Sequence, residues 1–114
     1  MYFVIVAKDK PTGDLRAKLR KQHLQFIADK QDLFRFGGPL LADDGRVVGS
    51  LMILQLPDRA ALDGYMAADP YFKDGGIFES VTVHQTRWIV PEETPGALAA
   101  EIEKQAGFDR QRSR

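Results

Sequence analysis

Two stretches of this chain are apolar at every position, and they restrict what it can fold into. Phe3-Val4-Ile5-Val6 and Leu51-Met52-Ile53-Leu54 are β-prone runs without the apolar–polar alternation expected of a strand that is wet on one side. Both faces of both runs need cover. At ~25 cal/mol per Å² of apolar surface, leaving one face of such a sheet in water forgoes several kcal/mol. It also creates a patch that soluble monomers seldom carry.

The rest of the chain supplies elements for such a sheet. Tyr2 to Ala7 reads as a first strand, ended by the charged Lys8–Lys10 and by Pro11–Gly13. Asp14 to Lys30 has helical period, with Leu15, Leu19, Phe26 and Ile27 on one stripe and Arg16, Lys18, Arg20, Lys21 and Gln25 mostly off it. Thr12 or Asp14 can cap its start. Leu33 to Gly38 reads as a second strand, Asp43-Asp44-Gly45 as a turn, and Val47 to Leu56 as a third strand stopped by Pro57. Asp58 is positioned to cap a second helix carrying Leu62, Tyr65 and Met66, which Pro70 ends. Gly75-Gly76 marks a loop, and Phe78 to Val90 holds a fourth strand.

The order β-α-β-β-α-β is the split, ferredoxin-like arrangement of the α+β class. It places both helices on one sheet face. The other face is covered either by the same face of a second copy, giving a dimeric α+β barrel, or by the C-terminal tail folding back. The two non-alternating runs favour the homodimer, with higher assembly left open. One domain over residues 1–90 and a tail over 91–114 are expected. Leu98, Ile102 and Ala106 give the tail one short amphipathic helix, and its end, FDRQRSR, is expected to fray.

Composition narrows the function. Sixteen basic and sixteen acidic side chains cancel, so no net field draws the chain to nucleic acid or to an anionic membrane surface. Cysteine is absent, which excludes thiolate metal sites and Cys nucleophiles. Two histidines without ligand spacing predict no metal site, and no cofactor motif is present. The N-terminal apolar run lacks the features of a secretory signal, so a cytoplasmic location is the expectation.

Two titratable groups fall on core-facing stripes. His23 lies four residues after Leu19 and three before Phe26; Asp69 lies seven after Leu62 and three after Met66. A charge there needs a partner. Asp69 also closes a helix, where the dipole disfavours a carboxylate by roughly 0.3–1 kcal/mol. With both helices on one sheet face, the two side chains can meet, and an Asp-oriented His is a common general base. The same pair can equally be a satisfied structural contact.

Arg20-x-x-His23-Leu24, Gly37-Gly38-Pro39-Leu40, Gly49-Ser50 and Ala68-Asp69-Pro70-Tyr71, in this order, resemble the pattern of the YciI-related (YCII) proteins over about residues 2–90. The resemblance implies a dimeric α+β barrel like that of muconolactone isomerase, with an active site on a family His and Asp that map to His23 and Asp69. It also implies chemistry of the type run by a family dehydrochlorinase that acts on a chlorinated hydroxyquinol. The segment after Pro91 extends beyond the family pattern.

Around this pair, Arg20 is a candidate for holding an anionic substrate group. Tyr71 and Phe72 are candidate pocket walls, and Gly38 and Pro39 allow close approach of the backbone. Ser50 is a candidate contact, but no nucleophile elbow accompanies it, which argues against a Ser-His-Asp triad. His84 is expected on the surface or at an interface. The expected function is a cofactor-independent isomerase or lyase, of dehydrochlorinase type, acting on a small and possibly anionic organic molecule through His23 and Asp69. The alternative is a non-catalytic dimeric module that binds a small ligand or a partner. A roomy, solvent-reachable pocket at His23 favours the enzyme; a sealed pair favours the module.

Overall fold

The computed structural model describes residues 1–113. Strand β1 (Tyr2–Asp9) leads to helix α1 (Leu15–Ala28), a 3-10 turn (Gln31–Leu33), β2 (Phe34–Leu41) and β3 (Val47–Gln55). Helices α2 (Arg59–Ala68) and α3 (Pro70–Lys73), strand β4 (Phe78–Thr86) and helix α4 (Ala97–Arg112) complete the chain. The strands form one antiparallel sheet in the order β2-β3-β1-β4. This is the α+β, ferredoxin-like arrangement, with a C-terminal helix added.

The two apolar runs are the central strands and pair directly, Phe3 with Leu54 and Ile5 with Met52. These four residues point to the helical face, where they form the core with Leu56, Leu62 and Tyr65. Val4, Val6, Leu51 and Ile53 point to the opposite face and stay half-buried. His84 pairs with Val4 on that same face and is exposed. The central pair is held close by Gly49, where an added Cβ would lie 2.3 Å from the Ala7 carbonyl oxygen.

Local chemistry sets the element ends. The Asp58 carboxylate accepts the Ala61 N–H at 2.9 Å and caps α2. Gly45 takes φ +87° in the turn between β2 and β3. Strand β2 runs on through Gly37-Gly38-Pro39 to Leu41 instead of stopping at Gly38, because each of these residues finds a partner on β3. Pro39 is tolerated there since β2 is an edge strand. Strand β4 ends at Thr86, short of the expected Val90: Thr86 pairs with Tyr2, the first residue of β1, and no strand lies beyond it.

The tail does not fold back over the sheet. Helix α4 buries none of its residues, and the molecule measures 59 × 31 × 23 Å along its principal axes. Its Leu98, Ile102 and Phe108 are exposed. The terminal segment, expected to fray, is helical through Arg112; Arg114 lies outside the described residues.

Candidate active site

Helix α1 carries His23 over the sheet, and the α2–α3 junction carries Asp69 to meet it. His23 Nδ1 lies 2.8 Å from Asp69 Oδ1. Asp69 is fully buried, so its charge must be compensated within the protein. Its Oδ1 also accepts the backbone N–H of Tyr71 at 2.9 Å, and its Oδ2 accepts the Tyr65 hydroxyl at 2.7 Å. Three donors therefore converge on one carboxylate. Burial first, and then the Asp69 charge and hydrogen bond, push the Tyr65 hydroxyl far above its ordinary pKa. It stays a protonated donor.

The dipole conflict expected at Asp69 is relieved by a second helix that starts there. Pro70 ends α2 but also opens α3, and Asp69 is the N-cap of that short helix as well as the C-cap of α2. The carboxylate thus accepts the free N–H of Tyr71 in the next turn, where negative charge is favoured. That turn also delivers Tyr71, whose ring stacks on His23 with centroids 3.8 Å apart and planes within 3°. With Nδ1 donating to Asp69, Nε2 is the nitrogen left to act on a ligand.

His23 forms part of the wall of a cavity of about 400 Å³ between α1 and the β2–β3 edge of the sheet. Arg20, Gly38, Pro39, Ser50 and Tyr71 line the same cavity. Arg20 is exposed and sits at its open side. Phe72 does not line it. Its ring packs on Phe78 at 4.9 Å, and it adds to the core, because successive residues of α3 point in different directions and Tyr71 takes the cavity side. The Ser50 hydroxyl bonds Arg16, not His23, among the described residues.

Arg16 and Tyr65 are the site residues that sequence reasoning misses. Arg16 falls mostly off the apolar stripe, yet its side chain is 17% exposed and turned inward. Its Nε and Nη2 bond both oxygens of Asp9 at 2.7 Å, Nη2 also bonds Ser50 Oγ at 2.9 Å, and the guanidinium lies over the Tyr71 ring. Burial acts to lower its pKa, but the bonds and charge of Asp9 outweigh this and hold it above its ordinary value. Spacing is the signal that could have found it: Arg16 precedes His23 by seven residues, two helical turns on the same face. Tyr65 precedes Asp69 by four, the distance at which side chains on one helix meet.

Among the described residues, no group of three or more His, Cys, Asp or Glu side chains is placed to hold a metal ion. Among the described residues, no helix is long and apolar enough to cross a membrane.

A small α+β sheet domain with a buried-carboxylate histidine facing a ring-sized cavity is the class that fold and site define. The YCII-related domain matches residues 1–88, and the chain belongs to the YCII-related family. Among solved structures it is similar to the 5-chloro-2-hydroxyhydroquinone dehydrochlorinase TftG from Burkholderia phenoliruptrix AC1100, in complex with 2,5-dihydroxybenzoquinone. The TM-score is 0.67 and the identity 28%, over 76% of this chain and 94% of that one. It is also similar to Rv0793 from Mycobacterium tuberculosis, with a TM-score of 0.44 and 20% identity over 82% of this chain and 100% of that one. No curated protein sequence matches the chain.

Proposed function

We propose that the chain is a cofactor-independent small-molecule enzyme of the lyase or isomerase type, in which His23 is the general acid/base and Asp69 orients it. The observation that carries this reading is the 2.8 Å contact between His23 Nδ1 and a fully buried carboxylate, with the imidazole at a cavity wall. Similarity to a dehydrochlorinase with a small ring compound bound supports the same class of chemistry. In an elimination, Nε2 takes a proton, the electrons of the broken bond form a new π bond, and the leaving group departs as an anion with its bonding pair. In an isomerisation, the resulting imidazolium returns the proton to another atom of the same molecule.

A sealed His–Asp pair would favour a non-catalytic module. His23 instead belongs to a cavity whose lining includes the exposed Arg20, Arg35 and Phe36, which supports the enzyme. Arg20, Gly38, Pro39, Ser50 and Tyr71 are the proposed substrate contacts, with residues 1–90 as the functional domain and 91–114 as a tail. The half-buried Val4, Val6, Leu51 and Ile53 on the far sheet face are the surface a second copy covers in the proposed homodimer. Sedimentation velocity reads this directly: Ile53→Lys converts a dimer to a monomer, and a wild-type chain that sediments as a monomer contradicts it.

The direct test of activity is chloride release from a chlorinated hydroxyquinol. Wild type turns over, and His23→Ala loses about 10²–10⁴-fold, the usual worth of a positioned acid/base. Turnover undiminished in His23→Ala refutes the assignment.

A further inference from the structure

Tyr65 holds Asp69 by two bonds, and the acid/base reading leaves the second of them without a role. Its backbone carbonyl accepts the Asp69 N–H at 3.0 Å, and its hydroxyl donates to Asp69 Oδ2 at 2.7 Å. The Tyr65 ring is buried. Phe26 and Phe34 pack on it with centroids 5.6 and 5.9 Å away, and Met52 Sδ lies 3.8 Å from the hydroxyl oxygen. A thioether is a weak acceptor, so the carboxylate is the strong partner of this hydroxyl. Burial, and then the adjacent Asp69 charge, keep the hydroxyl protonated, so the bond persists wherever His23 acts as a base.

The two oxygens of Asp69 have separate duties. Oδ1 meets His23 Nδ1 at 2.8 Å and is steadied by the Tyr71 backbone N–H at 2.9 Å. Oδ2 meets Tyr65. Orientation of the imidazole therefore does not need the Tyr65 hydroxyl, because Oδ1 keeps both of its bonds without it. What the hydroxyl changes is charge. A hydrogen bond to an ionised oxygen draws negative charge toward the donor, and around a fully buried carboxylate the low dielectric leaves that effect strong. Less charge then remains on Oδ1 to stabilise a protonated imidazole.

We propose that Tyr65 is a positioning residue that sets the base strength of His23 through Asp69. Its hydroxyl loosens the carboxylate's hold on the imidazolium and lets His23 release the proton it has taken. A group that takes and returns a proton works best with its pKa near the working pH; an unshared buried carboxylate would hold that proton more firmly. The inference deepens the acid/base reading and rests on it for this catalytic consequence. The other charged and titratable groups about His23 are Arg16 and Arg20 of its own helix, Arg35 of β2 and Tyr71 of α3, which line the same cavity. Asp9 of β1 is engaged by Arg16. Tyr65→Phe leaves all of them, and the ring packing, in place and removes one oxygen.

NMR titration of the two histidines in the free protein reads this without a substrate. His84, exposed on the opposite sheet face, is the internal control, and His84→Gln identifies its resonance. In Tyr65→Phe the His23 midpoint rises by roughly half a pH unit or more, a fraction of the ~1–3 by which a full neighbouring charge moves a pKa. With a ring-fluorinated tyrosine at position 65, a stronger donor of nearly the same size, the midpoint falls. Met52→Leu alters the packing around the hydroxyl, leaves its bond to Asp69, and keeps the wild-type midpoint. Circular dichroism confirms each fold; should Tyr65→Phe not fold, the fluorinated chain decides alone. A His23 midpoint unmoved or moved the other way by a folded variant at position 65, or moved as far by Met52→Leu, overturns the assignment. The acid/base reading fails separately, through turnover that survives loss of His23, and would leave these titrations in place.

Discussion

Replacing Asp69 separates what the carboxylate does for stability from what it does for chemistry. It is fully buried and accepts the Tyr65 hydroxyl, the Tyr71 backbone N–H and His23 Nδ1. Asp69→Ala strands the first two donors away from water, at about 1–3 kcal/mol each. His23 sits at the cavity wall and can recover water. Removing the buried charge itself offsets part of this loss, so about 3–4 kcal/mol is expected, in line with breaking a buried pair. Asp69→Asn differs. Its amide oxygen still accepts from His23 and Tyr71, and the Tyr65 hydroxyl can rotate to accept the amide N–H. Each former partner keeps one bond and the displaced Tyr65 proton can turn to Met52 Sδ, 3.8 Å away, so what is lost is the charge assistance together with one amide N–H left without an acceptor, about 1–2 kcal/mol. Urea unfolding followed by circular dichroism at fixed protein concentration reads both. With m near ~2 kcal/mol per M, the midpoint falls by about 1.5–2 M for Ala and by less than about 1 M for Asn. Equal losses for the two variants, or a loss under about 1 kcal/mol for Ala, would refute the three-donor account.

Tyr65 and Gly49 give two further expected outcomes. The folded chain holds the Tyr65 proton where the unfolded chain releases it near pH 10. The stabilisation is therefore complete below about pH 10 and is lost as pH rises above it, by up to ~1.4 kcal/mol per pH unit. Tyr65→Phe flattens that alkaline slope in urea midpoints, and a slope equal to wild type would show that Tyr65 is not the group responsible. Gly49→Ala drives a methyl into the Ala7 carbonyl of the paired strand, at 2.3 Å before relaxation. About 1–3 kcal/mol should be lost, a drop of roughly 5 °C or more in Tm; an unchanged Tm contradicts the close strand spacing.

Much of the fold is legible in the sequence because its signals are local and periodic. Two non-alternating apolar runs locate the central strands, Pro57 and Asp58 mark the entry to α2, and the element order points to the sheet arrangement. His23 and Asp69 are legible for a related reason: a polar group on an apolar stripe is conspicuous. Competition between neighbours is what sequence cannot weigh. Leu15, which belongs to the stripe of α1 by spacing, is 40% exposed, while Arg16 turns inward because Asp9 and Ser50 meet it there. Hydropathy ranks the residues of one helix, and a buried ion pair inverts that ranking. Likewise, Gly37-Gly38-Pro39 looks like a strand end because edge-strand status, which permits Pro39, is a property of the whole sheet. The double role of Asp69 is hidden by Pro70, which reads as a helix stop and serves here also as the first residue of the next turn. The standing of α4 off the domain has no local signal at all.

Nitrogen-15 NMR of the His23 ring at a pH where free imidazole is neutral tests the base assignment most directly. With Nδ1 donating to the buried carboxylate, the proton should reside on Nδ1, and Nε2 should carry the chemical shift of an unprotonated nitrogen turned to the cavity. In Asp69→Asn that tautomer preference should weaken. A proton found on Nε2 in the wild-type chain would leave the cavity without a base and contradict the account.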